Sequence, residues 1–161
     1  MNRVRFLTQA AMIAAIYVVL TMLANAMGLA SYAIQVRFSE ALTILPFFTA
    51  AAVPGLAVGC LISNILAGGA LLDIVFGTIA TLIGAVCTYL LRKKSKWLAP
   101  VPPIIANAVI VPPVLYGAYG ISPIWLSVIT VTIGEIISCG ILGMLLLHGL
   151  LKYRRIFDLQ A

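Results

Sequence analysis

The stretch Asp73-Ile74-Val75-Phe76-Gly77-Thr78-Ile79-Ala80-Thr81-Leu82-Ile83-Gly84-Ala85-Val86-Cys87-Thr88-Tyr89-Leu90-Leu91 carries no charge after its first residue, and Arg92-Lys93-Lys94-Ser95-Lys96 follows at once. As a helix, residues 74–91 would be about 27 Å long, close to the roughly 30 Å of a bilayer's hydrocarbon core. Short cytoplasmic loops collect Lys and Arg. The stretch therefore reads as a membrane-crossing helix that ends in a cytoplasmic loop. The pattern repeats outward from it. Residues 41–72 are uncharged, and between Trp97 and Leu151 the only formal charge is Glu135, with His148 near the end. Across all 161 residues, 63% are apolar and 9% are charged. A soluble domain is about 45–50% apolar and about 25% charged, so lipid is the solvent for most of this surface. Disordered, collagenous and disulfide-framework classes are excluded by the same composition.

The formal charge of +6 invites a nucleic-acid reading, but the positions of the charges argue against it. Nine of the ten cations fall in three clusters, Arg3/Arg5, residues 92–96, and Lys152/Arg154/Arg155. A nucleic-acid binder gathers such charges on one face with aromatics between them. Counting spans of about 20 residues predicts six crossings, near 6–29, 34–52, 55–71, 73–91, 104–119 and 123–151. Six crossings put all three basic clusters on one side, with both termini cytoplasmic; five would split them. The expectation is an all-α integral membrane protein, one domain over residues 1–161, multi-pass in the cell membrane. A secretory signal ending at Ala24-Asn25-Ala26 is the alternative for the first segment, but its apolar run is long for a signal core.

Other chemistries find little support. Cys60, Cys87 and Cys139 fall inside separate spans with no C-x-x-C spacing, and there is one His. No metal site, disulfide framework or cofactor is expected on that spacing. No nucleotide-binding motif or nucleophile–base pair appears, so the chain is not expected to be an enzyme. Any ATP hydrolysis would fall to a partner.

Ionisable residues inside a membrane are expensive and mark function by default. Arg37 and Glu40 are three apart, as on one helix face. Asp73 opens the fourth span, where a helix N-terminus favours an anion. Glu135 is the deepest, with Thr132, Ser138 and Cys139 on its face. Asn64 and Asn107 add amides in the third and fifth spans, and Asn25, Ser31 and Gln35 lie near the first external loop. The four charges sum to −2, which suits a cationic ligand or one rich in N–H donors. Pro112-Pro113 should disturb the fifth span. Tyr116, Tyr119 and Trp125 fit an interfacial belt, or one ring stacks on a flat ligand. Ala10-x-x-x-Ala14 and Ala11-x-x-x-Ala15 give the first span a smooth face for close helix contact, and Gly55-x-x-x-Gly59 and Ala80-x-x-x-Gly84 suit internal packing.

Gln35-Val36-Arg37-Phe38-Ser39-Glu40-Ala41-Leu42-Thr43, Leu45-Pro46-Phe47-Phe48, Pro54-Gly55-Leu56, Gly59-Cys60-Leu61-Ile62-Ser63-Asn64 and Asp73-Ile74-Val75-Phe76-Gly77-Thr78 resemble the QueT family along essentially the whole chain. Those are substrate-binding S components of energy-coupling-factor (ECF) transporters, associated with queuosine precursors. The resemblance implies a six-helix S-component bundle. It also implies docking through the alanines of span one on a coupling transmembrane subunit that carries two ATPase subunits. The implied ligand is a deazaguanine: 7-aminomethyl-7-deazaguanine, 7-cyano-7-deazaguanine or queuine. On depth, Glu135 is expected to take the guanine-like edge, with Glu40 or Asp73 on an amine. An S component for another vitamin-like solute, and a membrane scaffold with structural buried acids, stay open as alternatives.

Overall fold

The computed structural model describes residues 3–28 and 36–152. Ser31, Gln35, Arg154 and Arg155, used in the sequence reading, lie outside the described residues. The described chain is helical: α1 (Arg3–Ala26), a ten-residue 3₁₀ helix (Phe38–Phe47), α2 (Ala52–Leu66), α3 (Leu71–Leu91), a short 3₁₀ turn (Lys96–Leu98), α4 (Val101–Tyr119), α5 (Ile124–Glu135), a π-helical segment (Ile136–Leu142) and α6 (Gly143–Leu151). The last three run on as one rod of 28 residues.

Contacts fix the direction of each pass. Thr49 Oγ1 donates to Gln9 Oε1 (3.3 Å), and Thr21 Oγ1 to Ser39 Oγ (2.9 Å), so the 3₁₀ helix runs back along α1. Gly55 meets Ala10 and Gly59 meets Ala14, so α2 runs parallel to α1. Thr81 against Cys60, and Thr88 against the Ala99 carbonyl, turn α3 and α4 in alternation. The final rod returns with Ser138 beside Arg37 and Gly143 against Ile44. Arg3, the basic loop and Lys152 therefore share one end of the bundle. At that end Lys96 Nζ lies 3.5 Å from His148 Nε2.

Four helices are long and apolar enough to cross a bilayer: α1, α3, Lys96–Tyr119 and Ile124–Leu151. The expected second and third crossings are shorter. In place of a span over 34–52 stands the 3₁₀ helix, with Ser39 to Pro46 all buried. Ten residues of 3₁₀ helix reach only about 20 Å. Such tight backbone, with Pro46 inside it, survives at membrane depth only when enclosed by protein. Here α1, α3, α6 and the π segment enclose it. Helix α2 has 15 residues in place of the expected 55–71. The fifth span matches well, and α4 continues through Pro112 and Pro113.

The packing is that of a protein in lipid. Leu72, Val75, Phe76, Ile79, Leu82 and Ile83 of α3 face outward, while Thr81 and Thr88 of the same helix are buried. The apolar centre gathers Tyr17, Leu42, Ile44, Leu45, Leu56 and Leu147. The alanine face of α1 is divided. A Cβ on Gly55 would stand 2.7 Å from the Ala10 carbonyl oxygen, and one on Gly59 would stand 3.1 Å from Ala14 Cα. Ala10 and Ala14 therefore seat α1 on α2, as small residues do when backbones approach closely. This corrects their assignment to partner docking. Ala11 and Ala15 remain exposed.

Candidate functional site

A cleft of about 470 Å³ opens at the end of the bundle opposite the basic loop. That volume falls within the roughly 300–1,000 Å³ typical of small-molecule sites. Its walls come from four directions: Thr21 and Asn25 of α1, Arg37 ahead of the 3₁₀ helix, Asn64 of α2 with Asp73 of α3, and Tyr119 at the end of α4. Asp73 stands in the first turn of α3, where unpaired backbone N–H groups favour a carboxylate. The Tyr119 hydroxyl accepts the Ala70 N–H (2.9 Å) and lies 3.4 Å from Asp73 Oδ2, so it holds α4 against the entry to α3. Asn64 reaches the cleft because Gly77 faces it; a Cβ there would stand 3.2 Å from Asn64 Nδ2.

Beneath the cleft is a chamber of about 20 Å³, lined by Arg37, Thr81, Asn107, Val131 and Glu135, with Gly77 and Val111. It holds about one water. Arg37 lines both spaces. This differs from the expected Arg37–Glu40 helix face. Arg37 has extended backbone (φ −104°, ψ 109°) ahead of the 3₁₀ helix, so the two residues do not share a helical turn, and Glu40 lines neither space.

Behind the chamber lies a sealed polar cluster. Glu40, 1% exposed, accepts the Tyr17 hydroxyl at Oε1 (2.5 Å). Its Oε2 is buried with no hydrogen-bond partner. The Asn107 amide stands beside the carboxylates of Glu40 and Glu135 without closing a bond to that oxygen. Cys139 Sγ donates to Glu135 Oε2 (3.1 Å) and lies 3.4 Å from the Glu40 carbonyl and 3.3 Å from Thr43 Oγ1. Ser138 Oγ accepts the Arg37 N–H (3.2 Å). The π segment begins directly after Glu135 and presents Ser138 and Cys139 to the 3₁₀ helix. π turns inside α-helices concentrate at functional sites.

The structure thus brings Arg37, Asn64 and Asp73 to the cleft and Glu135 and Asn107 to the chamber, and it keeps Glu40 off both. Thr21 of the cleft, Thr81 of the chamber and Tyr17 of the buried cluster are not among the expected site residues. The one signal for each is a hydroxyl inside an apolar span. Tyr116 and Trp125 are 52% and 63% exposed and line neither space, which fits the aromatic belt; Tyr119 belongs to the cleft. No curated protein and no solved structure gives a significant match to this sequence. The model of the QueT transporter family matches residues 7–152, a span that holds the cleft, the chamber and the buried acids. The chain, a helical membrane protein with a ligand-sized polar cleft, belongs to the QueT transporter family.

Proposed function

We propose that this protein is the substrate-binding S component of an ATP-driven ECF importer and captures a queuosine-precursor deazaguanine from outside the cell. The observation that carries the reading is the 470 Å³ cleft with Asp73 and Arg37 in its walls, in a chain of a transporter family. A guanine-like edge presents N–H donors beside a carbonyl. Asp73 accepts the donors, two at a time in bidentate fashion, and Arg37 donates to the carbonyl. Asn64 supplies a further amide, and the Tyr119 ring a wall for a flat bicycle. Depth in the sequence favours Glu135 for that edge. It opens only on a chamber of about 20 Å³, which takes a small substituent and no ring. We therefore move the edge to Asp73 and leave Glu135 and Asn107 beneath it.

The basic clusters put their end of the bundle in the cytoplasm, so the cleft opens outward. The chain holds no nucleotide-binding motif, and a coupling transmembrane subunit with two ATPase subunits supplies the energy. Ala11 and Ala15 give the exposed small-residue face on which that coupling subunit docks.

Titration of the purified protein with 7-aminomethyl-7-deazaguanine, 7-cyano-7-deazaguanine, queuine, guanine and common vitamins tests the reading. A deazaguanine should bind, and Asp73→Asn should weaken it by about 2–4 kcal/mol, roughly 30- to 1,000-fold, because the amide sets a donor against donors. Binding of a vitamin in place of every deazaguanine would make this an S component for another solute. No saturable ligand, and no thermal shift with any, would leave a membrane scaffold.

A further inference from the structure

We propose that Glu40, Glu135 and Cys139 form a buried site for one divalent metal ion of zinc-like character. Glu135 and Cys139 are four apart on one rod and Glu40 lies about a hundred positions away, so the absence of Cys-x-x-Cys spacing does not reach this set. The fold packs the 3₁₀ helix on the π segment and brings one donor atom of each within 4.8 Å of the others. Their exposures are 1%, 8% and 0%. Cys139 Sγ lies 3.1 Å from Glu135 Oε2. An edge between an oxygen and a sulfur ligand of tetrahedral zinc is about 3.6 Å, from bond lengths of about 2.1 and 2.3 Å. That edge lies between the 3.1 Å contact and the 4.8 Å within which all three donor atoms fall.

A second observation points to an occupant. Glu40 Oε2 is fully buried and unpartnered. Two carboxylates this close in a buried site are not both ionised without a cation between them. A bound cation would satisfy the orphan oxygen and the charge together. Donor chemistry narrows its class. Magnesium and calcium take all-oxygen shells with several waters, and the site has a sulfur and little room. Zinc takes mixed carboxylate and thiolate ligands. On binding, two protons leave to solvent, the one on the Cys139 thiol and the one shared by the two carboxylates, and Sγ, Glu135 and Glu40 Oε2 become ligands. The set then carries three negative charges against two on the ion, and Arg37 on the adjoining chamber offsets the remainder. The amide oxygen of Asn107 or a water completes four-coordination. The ion would join the 3₁₀ helix Phe38–Phe47 to the end of α5 and the π segment.

The test uses the full chain in detergent without any deazaguanine, so its outcome is separate from that of the transport reading. The protein is stripped with chelator and then titrated with Zn²⁺ or Co²⁺. One equivalent should bind and raise the thermal midpoint. The Co²⁺ form should show thiolate-to-cobalt charge-transfer absorption. Cys139→Ser should abolish that absorption, and Cys60→Ser and Cys87→Ser should keep it. Glu40→Gln should lower affinity by at least about tenfold. Size-exclusion profiles identify any variant that has not folded. Failure of the folded, stripped wild type to bind either ion would overturn the site and leave the two carboxylates sharing a proton. Cobalt absorption that survives Cys139→Ser would equally overturn it.

Discussion

Replacing Gly59 by Ala adds one methyl where α1 and α2 touch. Its Cβ would stand 2.8 Å from Tyr17 Cβ and 3.1 Å from the Cα and carbonyl oxygen of Ala14. Carbon atoms settle at about 3.5–4.0 Å, so α1 must retreat by about 0.7 Å. Backbone bars the way, and no rotamer change relieves it. Overpacking of this kind costs about 1–3 kcal/mol. The retreat also stretches two bonds from α1 to the 3₁₀ helix. The Tyr17–Glu40 bond (2.5 Å) would open to at most about 3.2 Å, and the Thr21–Ser39 bond (2.9 Å) to at most about 3.6 Å. Interhelical hydrogen bonds in a membrane are worth about 0.6 kcal/mol each. Alanine returns about 1 kcal/mol of helix propensity. The sum is a loss of about 1–3 kcal/mol. Gly149→Ala is the control: nothing stands within 4 Å of its Cβ, so it should gain up to about 1 kcal/mol. Reversible unfolding in mixed micelles with rising SDS measures both. If Gly59→Ala is as stable as wild type, the close α1–α2 contact is wrong, and with it the reassignment of Ala10 and Ala14.

Three further outcomes are expected. Ala15→Trp should abolish uptake in the assembled transporter and leave ligand affinity within about threefold, near 0.7 kcal/mol; Ala14→Trp, at a buried contact, should instead reduce the yield of folded protein, and equal behaviour of the two would deny that the face is divided. Cysteine placed at Ser122 should react with an impermeant maleimide in intact cells and cysteine at Ser95 should not; labelling of Ser95 from outside would invert the topology. Tyr119→Phe removes the hydroxyl that joins Ala70 and Asp73, which should cost about 1 kcal/mol, roughly fivefold in deazaguanine affinity. A calorimetric titration indistinguishable from wild type would show that Asp73 needs no such support.

The sequence by itself determined the solvent. Long uncharged runs punctuated by three basic clusters have one physical explanation, because lipid tolerates few charges and cytoplasmic loops retain cations. It also singled out Arg37, Glu40, Asn64, Asp73, Asn107 and Glu135, since polar groups in apolar spans must face the interior. Tertiary structure alone decided how they are arranged. Residues 34–52 and the well-matched 104–119 both read as spans, although the first carries Arg37 and Glu40 and the second no charge. Only enclosure on every side lets residues 38–47 wind into a short 3₁₀ helix with Pro46 inside it. The alanine face looked uniform because Ala10, Ala11, Ala14 and Ala15 are chemically alike; the glycines of α2, some forty residues on, chose which pair to cover. Depth alone pointed to Glu135, but a cavity's size depends on what surrounds it. The ligand-sized space formed at Asp73, where four elements diverge, and Glu135 was left a chamber for one small group. The meeting of Glu40 with Cys139, 99 positions apart, had no sequence signal, because it depends on two irregular helices packing against each other.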